Sequence, residues 1–364
     1  MPKIKLGVDV TTLVKKRTGV GNYIYHYLLY LVENLENVNF YLYSNSEIFF
    51  PDYPNVYKRV GNKFLRGPLF HNIYISCKLF SDGIDLYWAS NGVFPFIKPS
   101  NLKTITTIHD FVYKLYPKTM IWYKRFFKEI SQNFSIKFTN YIYCVSNATS
   151  HDLTYLFGRE SNGVFNPLVD YGFFNKMAKN ERLYEFKYFC VLGTIEPRKN
   201  IFNLLAAYKN IIARGYLLPK LVLIGGKGWK NKQLHSLIES GIADGTILYL
   251  GFLDNALLPQ VYGGCEFFIM PSVYEGFGIP ILEAQYSGAP VVHGVHSSMC
   301  EASADVSLKI ETDIRSIEQF FISFSKGLAQ LHCRYFKNED LLNKNKLEGF
   351  LGEIKSIVKQ ICYE

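Results

Sequence analysis

No segment of this 364-residue chain stays apolar for the ~20 residues that a membrane-spanning helix needs. The opening Met-Pro-Lys-Ile-Lys-Leu-Gly-Val-Asp lacks the apolar stretch and cleavage site of a secretory leader and reads as a first strand, so a cytoplasmic location is expected. Paired cysteines are also missing. The seven at positions 77, 144, 190, 265, 300, 333 and 362 contain no C-x-x-C spacing, which argues against zinc and disulfides and for reduced, buried thiols. The first half has no Asp-x-Asp pair of the kind that holds a divalent cation, so neither metal nor cofactor is expected. No nucleic-acid module pattern occurs either, which leaves nucleic acid off the list of partners.

What is present is a globular composition, 48% hydrophobic and 20% charged, in a chain long enough for two domains. The formal charge is +9, and residues 1–150 alone hold 18 Lys and Arg against nine Asp and Glu. A basic first half favours an anionic partner, either a phosphate-bearing substrate or an anionic membrane surface. Two stretches interleave cations with aromatics, Lys58 to Phe80 and Met120 to Lys128. Each reads first as a domain helix with its apolar face in the core, and second as an element lying at a membrane interface.

Strands and helices alternate along the whole chain. In the first half Ile4 to Val10, Asn39 to Ser44, Asp85 to Ser90, Lys103 to Asp110 and Tyr141 to Asn147 read as strands. A loop from Thr11 to Asn22 precedes a helix beginning at Tyr23. After an aperiodic stretch the rhythm restarts with strands at Tyr188 to Gly193, Lys220 to Ile224, Ile247 to Leu250 and Phe267 to Met270. The expected domains are therefore residues 1–166 and 185–335, joined by a linker over 167–184. A helical tail over 336–364 is expected to pack back toward the first domain.

Candidate chemistry clusters at the carboxyl ends of these strands, where open α/β sheets bind ligands. Gly19 and Gly21 lie in a strand-loop-helix arrangement that suits a phosphate, and His109 ends a strand, although alone it reads first as structural. In the second half Arg198 and Lys199 follow a strand, Gly225 and Gly226 form a turn, and Glu275 and Glu283 stand eight residues apart around Gly276-Phe277-Gly278. Pro280 suits the first helical position there, and Gly288 the left-handed residue that closes the helix. Two cations and a helix N-terminus suit a diphosphate, a helix-borne carboxylate suits ribose hydroxyls, and a second carboxylate beside free amides suits a sugar ring. Ser298 to Glu301 matches a capping box and reads as structural.

Five segments in order carry a resemblance: Arg17 to Tyr23, Thr107 to Asp110, Val145 to Asn147, Gly193 to Asn200, and Pro271 to Glu283. The chain resembles the retaining glycosyltransferases of family 4, with the GT-B fold of two facing Rossmann-like, doubly wound parallel-sheet domains and the active site in the cleft between them. The resemblance implies a nucleotide-diphosphate sugar as donor substrate. Glu275, with the Phe277 and Gly278 amides and Ile279, would hold the transferred sugar, and Glu283 the ribose. Lys199 and Arg198 would neutralise the leaving diphosphate. Gly19 and Gly21 would close over the phosphates, His109 would orient the sugar, and Leu253 to Asn255 would hold the base. Where many members place an arginine after the strand glycine this chain has Thr194, which shifts phosphate neutralisation toward Arg198.

The segments Gly193 to Asn200 and Thr107 to Phe111 are similar to those of mannosyltransferases. The implied activity is therefore transfer of a hexose, mannose from GDP-mannose, onto a lipid-linked saccharide during O-antigen or capsule assembly. The protein would sit peripherally on the inner face of an anionic membrane. A glucosyl- or rhamnosyltransferase using a UDP- or dTDP-sugar is the alternative within the class, and a noncatalytic nucleotide-sugar-binding protein the alternative outside it. Spacing leaves Glu275 open as nucleophile or sugar ligand. Double displacement with retention needs a carboxylate on the opposite ring face, which favours the ligand role.

Overall fold

A computed structural model describes residues 3–178, 183–226, 228, 232–303, 306–334, 336 and 339–363. The chain divides into two compact units, Met1–Leu168 with Asp340–Glu364, and Val169–Glu339. Strands β1 (Ile4–Asp9), β2 (Val38–Ser44), β3 (Val56–Val60), β4 (Leu86–Ala89), β5 (Lys103–Ile108), β6 (Tyr141–Cys144) and β7 (Gly163–Val164) form the first sheet. The second contains β8 (Tyr188–Leu192), β9 (Lys220–Ile224), β10 (Ile247–Gly251), β11 (Phe268–Met270), β12 (Val291–Gly294) and β13 (Leu308–Ile310).

The sheet orders are β3-β2-β1-β4-β5-β6-β7 and β10-β9-β8-β11-β12-β13, with every pairing parallel. Each is a doubly wound arrangement whose strand order reverses once, beside β1 and β4 in one unit and beside β8 and β11 in the other. Helices on both faces explain the unbroken apolar runs, such as Leu221 to Ile224, all buried. Those reversal points are where the candidate residues collect.

The terminal helix Glu339–Tyr363 belongs to the first unit, where Phe350 is almost completely buried. Its ring meets those of Tyr27, Trp88, Tyr143 and Phe165 at centroid distances of 5.0, 5.3, 5.8 and 5.0 Å.

Several local expectations are corrected. The first helix spans Gly19–Asn34, so Gly19 and Gly21 lie in its opening turn instead of in a loop. A Cβ on Gly21 would stand 2.6 Å from the Thr12 carbonyl oxygen, so close chain approach selects glycine there. The stretch expected as a linker, 167–184, contains the helix Tyr171–Ala178 with Phe174 buried in the second unit's core; residues 179–182 fall outside the described set. Pro280 is the second residue of its helix, Ile279–Tyr286, not the first. Cys144, Cys190 and Cys265 are buried, but Cys77, Cys333 and Cys362 are exposed.

Replacing Phe350 with alanine removes a buried ring from an aromatic cluster and is expected to cost about 3–5 kcal/mol. Chemical denaturation should show the first unit's transition moving to lower denaturant; an unmoved transition would contradict the packing role of the terminal helix.

Candidate functional site

In the second unit the loop after β8 and the loop after β11 meet at the sheet's reversal point. Glycine makes the first loop possible. Gly225 (φ +143°) packs so closely that a Cβ would stand 2.0 Å from the Gly193 carbonyl oxygen, and a Cβ on Gly228 would stand 2.2 Å from that of Ile195. The loop ends in the 3-10 turn Pro197–Lys199 and in Asn200, whose left-handed backbone (φ 56°) launches the helix Ile201–Ala213. The Asn200 amide donates to the Thr312 carbonyl at 2.6 Å and anchors that conformation.

Glu275 lies between the two cations. Lys199 Nζ is 2.7 Å from one carboxylate oxygen and Arg198 Nη1 is 2.6 Å from the other. Arg198 also donates to the Tyr274 carbonyl at 2.9 Å, while its own carbonyl accepts from the Val273 amide at 3.0 Å. Glu275 is 8% exposed. Burial pushes its carboxyl upward, but the Lys199 and Arg198 charges outweigh that and hold it below the ordinary carboxylate range. The partly exposed Glu196 carboxylate also lies 3.8 Å from Arg198, so two cations face one buried and one partly exposed carboxylate. Ser298 lies inside the helix Ser297–Ser303 and does not cap it. Its hydroxyl donates to the Glu275 carbonyl at 2.7 Å, so the capping-box expectation gives way to a role in holding the acidic loop.

Gly278 caps the next helix with φ +110°, a conformation that favours glycine. The Phe277 side chain is buried and Ile279 partly so, both in the second unit's core; what they can present to a ligand is backbone. Gly288 (φ +80°) closes this helix, its amide donating to Gln285 and that of Ala289 to Ala284, a Schellman pair. Glu283 takes its hydrogen bond from the Tyr262 hydroxyl, at 3.4 Å, and burial raises its carboxyl from the ordinary 4.5 to about 7. Thr194 is exposed. Leu253 packs on the core, and Asn255 stands exposed at the start of a 3-10 turn after β10.

In the first unit His109, just after β5, is tied to the loop after β4. Its Nε2 is 2.7 Å from the Ser90 carbonyl, which only accepts, so Nε2 carries the proton and Nδ1 is an acceptor. Burial lowers its pKa and keeps the ring neutral near pH 7. The Tyr23 ring, two residues past Gly21, meets His109 edge-on at 5.3 Å, which places His109 beside the Gly19–Gly21 turn. Ser90 also donates to the Asp9 carbonyl, and Asn91 donates to the Asp9 carboxylate at 3.0 Å. The structure thus assembles Arg198, Lys199 and Glu275 in one unit, and His109 with the glycine turn in the other. Ser90 and Tyr262 escape a sequence reading, and Asn200 and Ser298 are noticed there without these roles, because each acts through a long-range hydrogen bond with no local pattern.

The Glu283 carboxyl holds its proton more tightly in the folded state than in the unfolded chain. Its stabilising contribution is full below about 4.5 and is lost as pH rises through about 7, worth up to ~3 kcal/mol. Glu283→Gln is expected to abolish that loss, so the variant gains on the native protein between about pH 5 and about pH 8 in denaturant unfolding. Parallel pH profiles for the two proteins would contradict it.

The family model described as Glycosyl transferases group 1 matches residues 173–319. The O-antigen chain mannosyltransferase B of Escherichia coli is 37% identical over 155 residues, which are 39% of this chain and 41% of that one. The match therefore spans about two fifths of that relative's length. Among solved structures, a sucrose-phosphate synthase from Thermosynechococcus elongatus aligns over 99% of this chain and all of its own, with a TM-score of 0.68 at 14% identity. WaaG, a glycosyltransferase involved in lipopolysaccharide biosynthesis, aligns over 95% of this chain and 94% of its own, with a TM-score of 0.65 at 14% identity. Residues 173–319 are a glycosyl transferases group 1 domain, in a chain whose two parallel-sheet units have the GT-B fold.

Proposed function

We propose that the protein is a retaining hexosyltransferase that moves mannose from GDP-mannose onto a lipid-linked saccharide in O-antigen or lipopolysaccharide assembly. The observation that carries this reading is the Arg198–Glu275–Lys199 triad at the strand-reversal point of a glycosyl transferases group 1 domain. The mannose assignment is supported by the mannosyltransferase relative.

Breaking a glycosyl–phosphate bond builds negative charge on the diphosphate. Lys199 and Arg198 are fixed in advance to receive it, which is electrostatic stabilisation by groups that need no reorganisation. Charge neutralisation is assigned to these side chains and no cofactor is invoked. Glu275, ionised and clamped on both oxygens, is a poor nucleophile and a good acceptor for sugar hydroxyls, so the sugar-ligand role is preferred. Retention then follows by attack on the face the diphosphate leaves, with the departing phosphate taking the acceptor's proton. His109 accepts a sugar hydroxyl through Nδ1, Glu283 accepts from the ribose, and Gly19 and Gly21 admit the phosphates close to the backbone.

Lys199→Ala is expected to weaken binding of GDP by roughly 10- to 100-fold, the loss of one charge-assisted contact. Glu275→Gln releases both cations and should leave GDP affinity unchanged or tighter, while transfer falls by about 100-fold or more. Calorimetry and release of GDP from GDP-mannose, with UDP- and dTDP-sugars in parallel, measure both. Equal loss of GDP affinity in the two variants would contradict the division of roles, and faster turnover of another donor would replace mannose. Binding without turnover over a wide acceptor panel would leave a noncatalytic binder.

A further inference from the structure

We propose that the surface formed by residues 57–138 docks on an anionic phospholipid bilayer, with the start of the helix Trp122–Phe138 as its inserted element. The inference deepens the proposed function, on which it rests for its purpose; a lipid-linked acceptor has to be met at a membrane.

That helix exposes the aromatics of its first half and buries three polar residues together with Ile136 in its second. Trp122 is 78% exposed, and Tyr123, Phe126, Phe127 and Ile130 are exposed with it, while Ser131, Gln132 and Ser135 are buried. The buried polar groups are satisfied: Ser135 donates to the Ser131 carbonyl at 2.9 Å and accepts from the Phe94 amide at 3.0 Å. Exposed apolar groups continue across neighbouring elements. Phe64 is 79% and Ile97 67% exposed, with Leu69, Ile73, Phe96 and Phe138 also exposed. Phe96 donates its amide to Asn72 at 2.8 Å, and Ser76 donates to the Ile97 carbonyl at 2.7 Å. The Phe96 ring meets Phe134 at 4.8 Å, and Phe134 meets Phe138 at 4.7 Å, so the segments form one surface.

Charge selects the occupant. Residues 57–138 contain 13 Lys and Arg but only four Asp and Glu, a surplus equal to the net +9 of the whole chain. All four acids are engaged within the unit. Asp82 pairs with Arg59 and Asp110 with Lys128, Glu129 lies within 3.9 Å of Lys114 and 3.8 Å of Arg125, and Asp85 accepts from the Lys5 amide. Lys124 and Arg125 sit among the exposed rings of the helix, and Lys63 and Arg66 flank Phe64. Rings at the headgroup level with cations reaching the phosphates is the chemistry of a membrane interface. The centre of a protein–protein interface is depleted of lysine. A second copy of the same face would oppose like charges. Among the described residues no helix is long and apolar enough to cross a membrane, so contact at the surface is the mode that fits.

Trp122 supplies the test by difference: of the other two tryptophans Trp88 is fully buried and Trp229 lies outside the described residues, so the native protein is read against Trp122→Phe. Vesicles of phosphatidylethanolamine and phosphatidylglycerol should sediment the full chain at low salt, vesicles of phosphatidylcholine should not, and binding should fall when salt rises to about 0.5 M. Brominated phosphatidylglycerol should quench fluorescence in the native protein and much less in Trp122→Phe. The double variants Trp122→Ser/Phe126→Ser and Lys124→Glu/Arg125→Glu should each lose about tenfold in vesicle affinity. Both should keep the thermal shift given by GDP, which shows that the fold survives. Undiminished vesicle binding by both variants, no binding by the native protein, or a salt-insensitive dimer that the double variants abolish would overturn the proposal. Turnover on a soluble acceptor saccharide separates the two readings. An active protein that ignores vesicles overturns the docking alone, and a vesicle-bound protein without turnover upholds it while overturning the transferase.

Discussion

The Glu275 carboxylate held between Lys199 and Arg198 is the constraint around which the second unit is arranged. Three nearly buried charges are stable only together, because removing one partner strands another in a medium that solvates it poorly. Their geometry in turn requires the tight approach of Gly225 to Gly193, the left-handed Asn200, and the hydrogen bonds from Arg198 and Ser298 to the backbone around Glu275. A site prepared in this way has its cations placed before any ligand arrives.

The two candidate carboxylates are eight residues apart and chemically unlike. Glu275 is paired and held low; Glu283 accepts from a tyrosine hydroxyl at 3.4 Å and is pushed up by burial to about 7. The first is an acceptor over the whole useful pH range, and the second gains full acceptor strength only as it ionises. Proposed roles at sugar and ribose follow from this asymmetry, which their matching residue type conceals. His109 adds a third acceptor of a different kind, neutral because it is buried and directed because Ser90 fixes its tautomer.

The βα rhythm was legible in the sequence because parallel strands buried on both faces are runs of apolar residues, as from Leu221 to Ile224. The turn chemistry of Gly288 was legible for a similar reason, since it needs a conformation that glycine favours. Short strands such as Gly163–Val164 and Leu308–Ile310 carry too few residues to show a period. The helix Tyr171–Ala178 was hidden by neighbouring glycine and proline. The pairing of Glu275 with Lys199, 76 positions away, and with its neighbour Arg198, and the use of Ser298 to hold the Glu275 carbonyl, are tertiary facts with no local trace. The same limit applies to Trp122–Phe138: its residue spacing fits a helix with an apolar face in the core, and only the fold shows that face turned outward.

The claim on which the rest depends is that the triad is built to receive a diphosphate. Its most direct test is calorimetric titration of the whole chain with the nucleoside diphosphate and the nucleoside monophosphate of the base it binds best. The diphosphate should bind at least about tenfold more tightly, with the margin shrinking as salt is added. Equal affinity for the two would contradict the assignment of Lys199 and Arg198 to the leaving group.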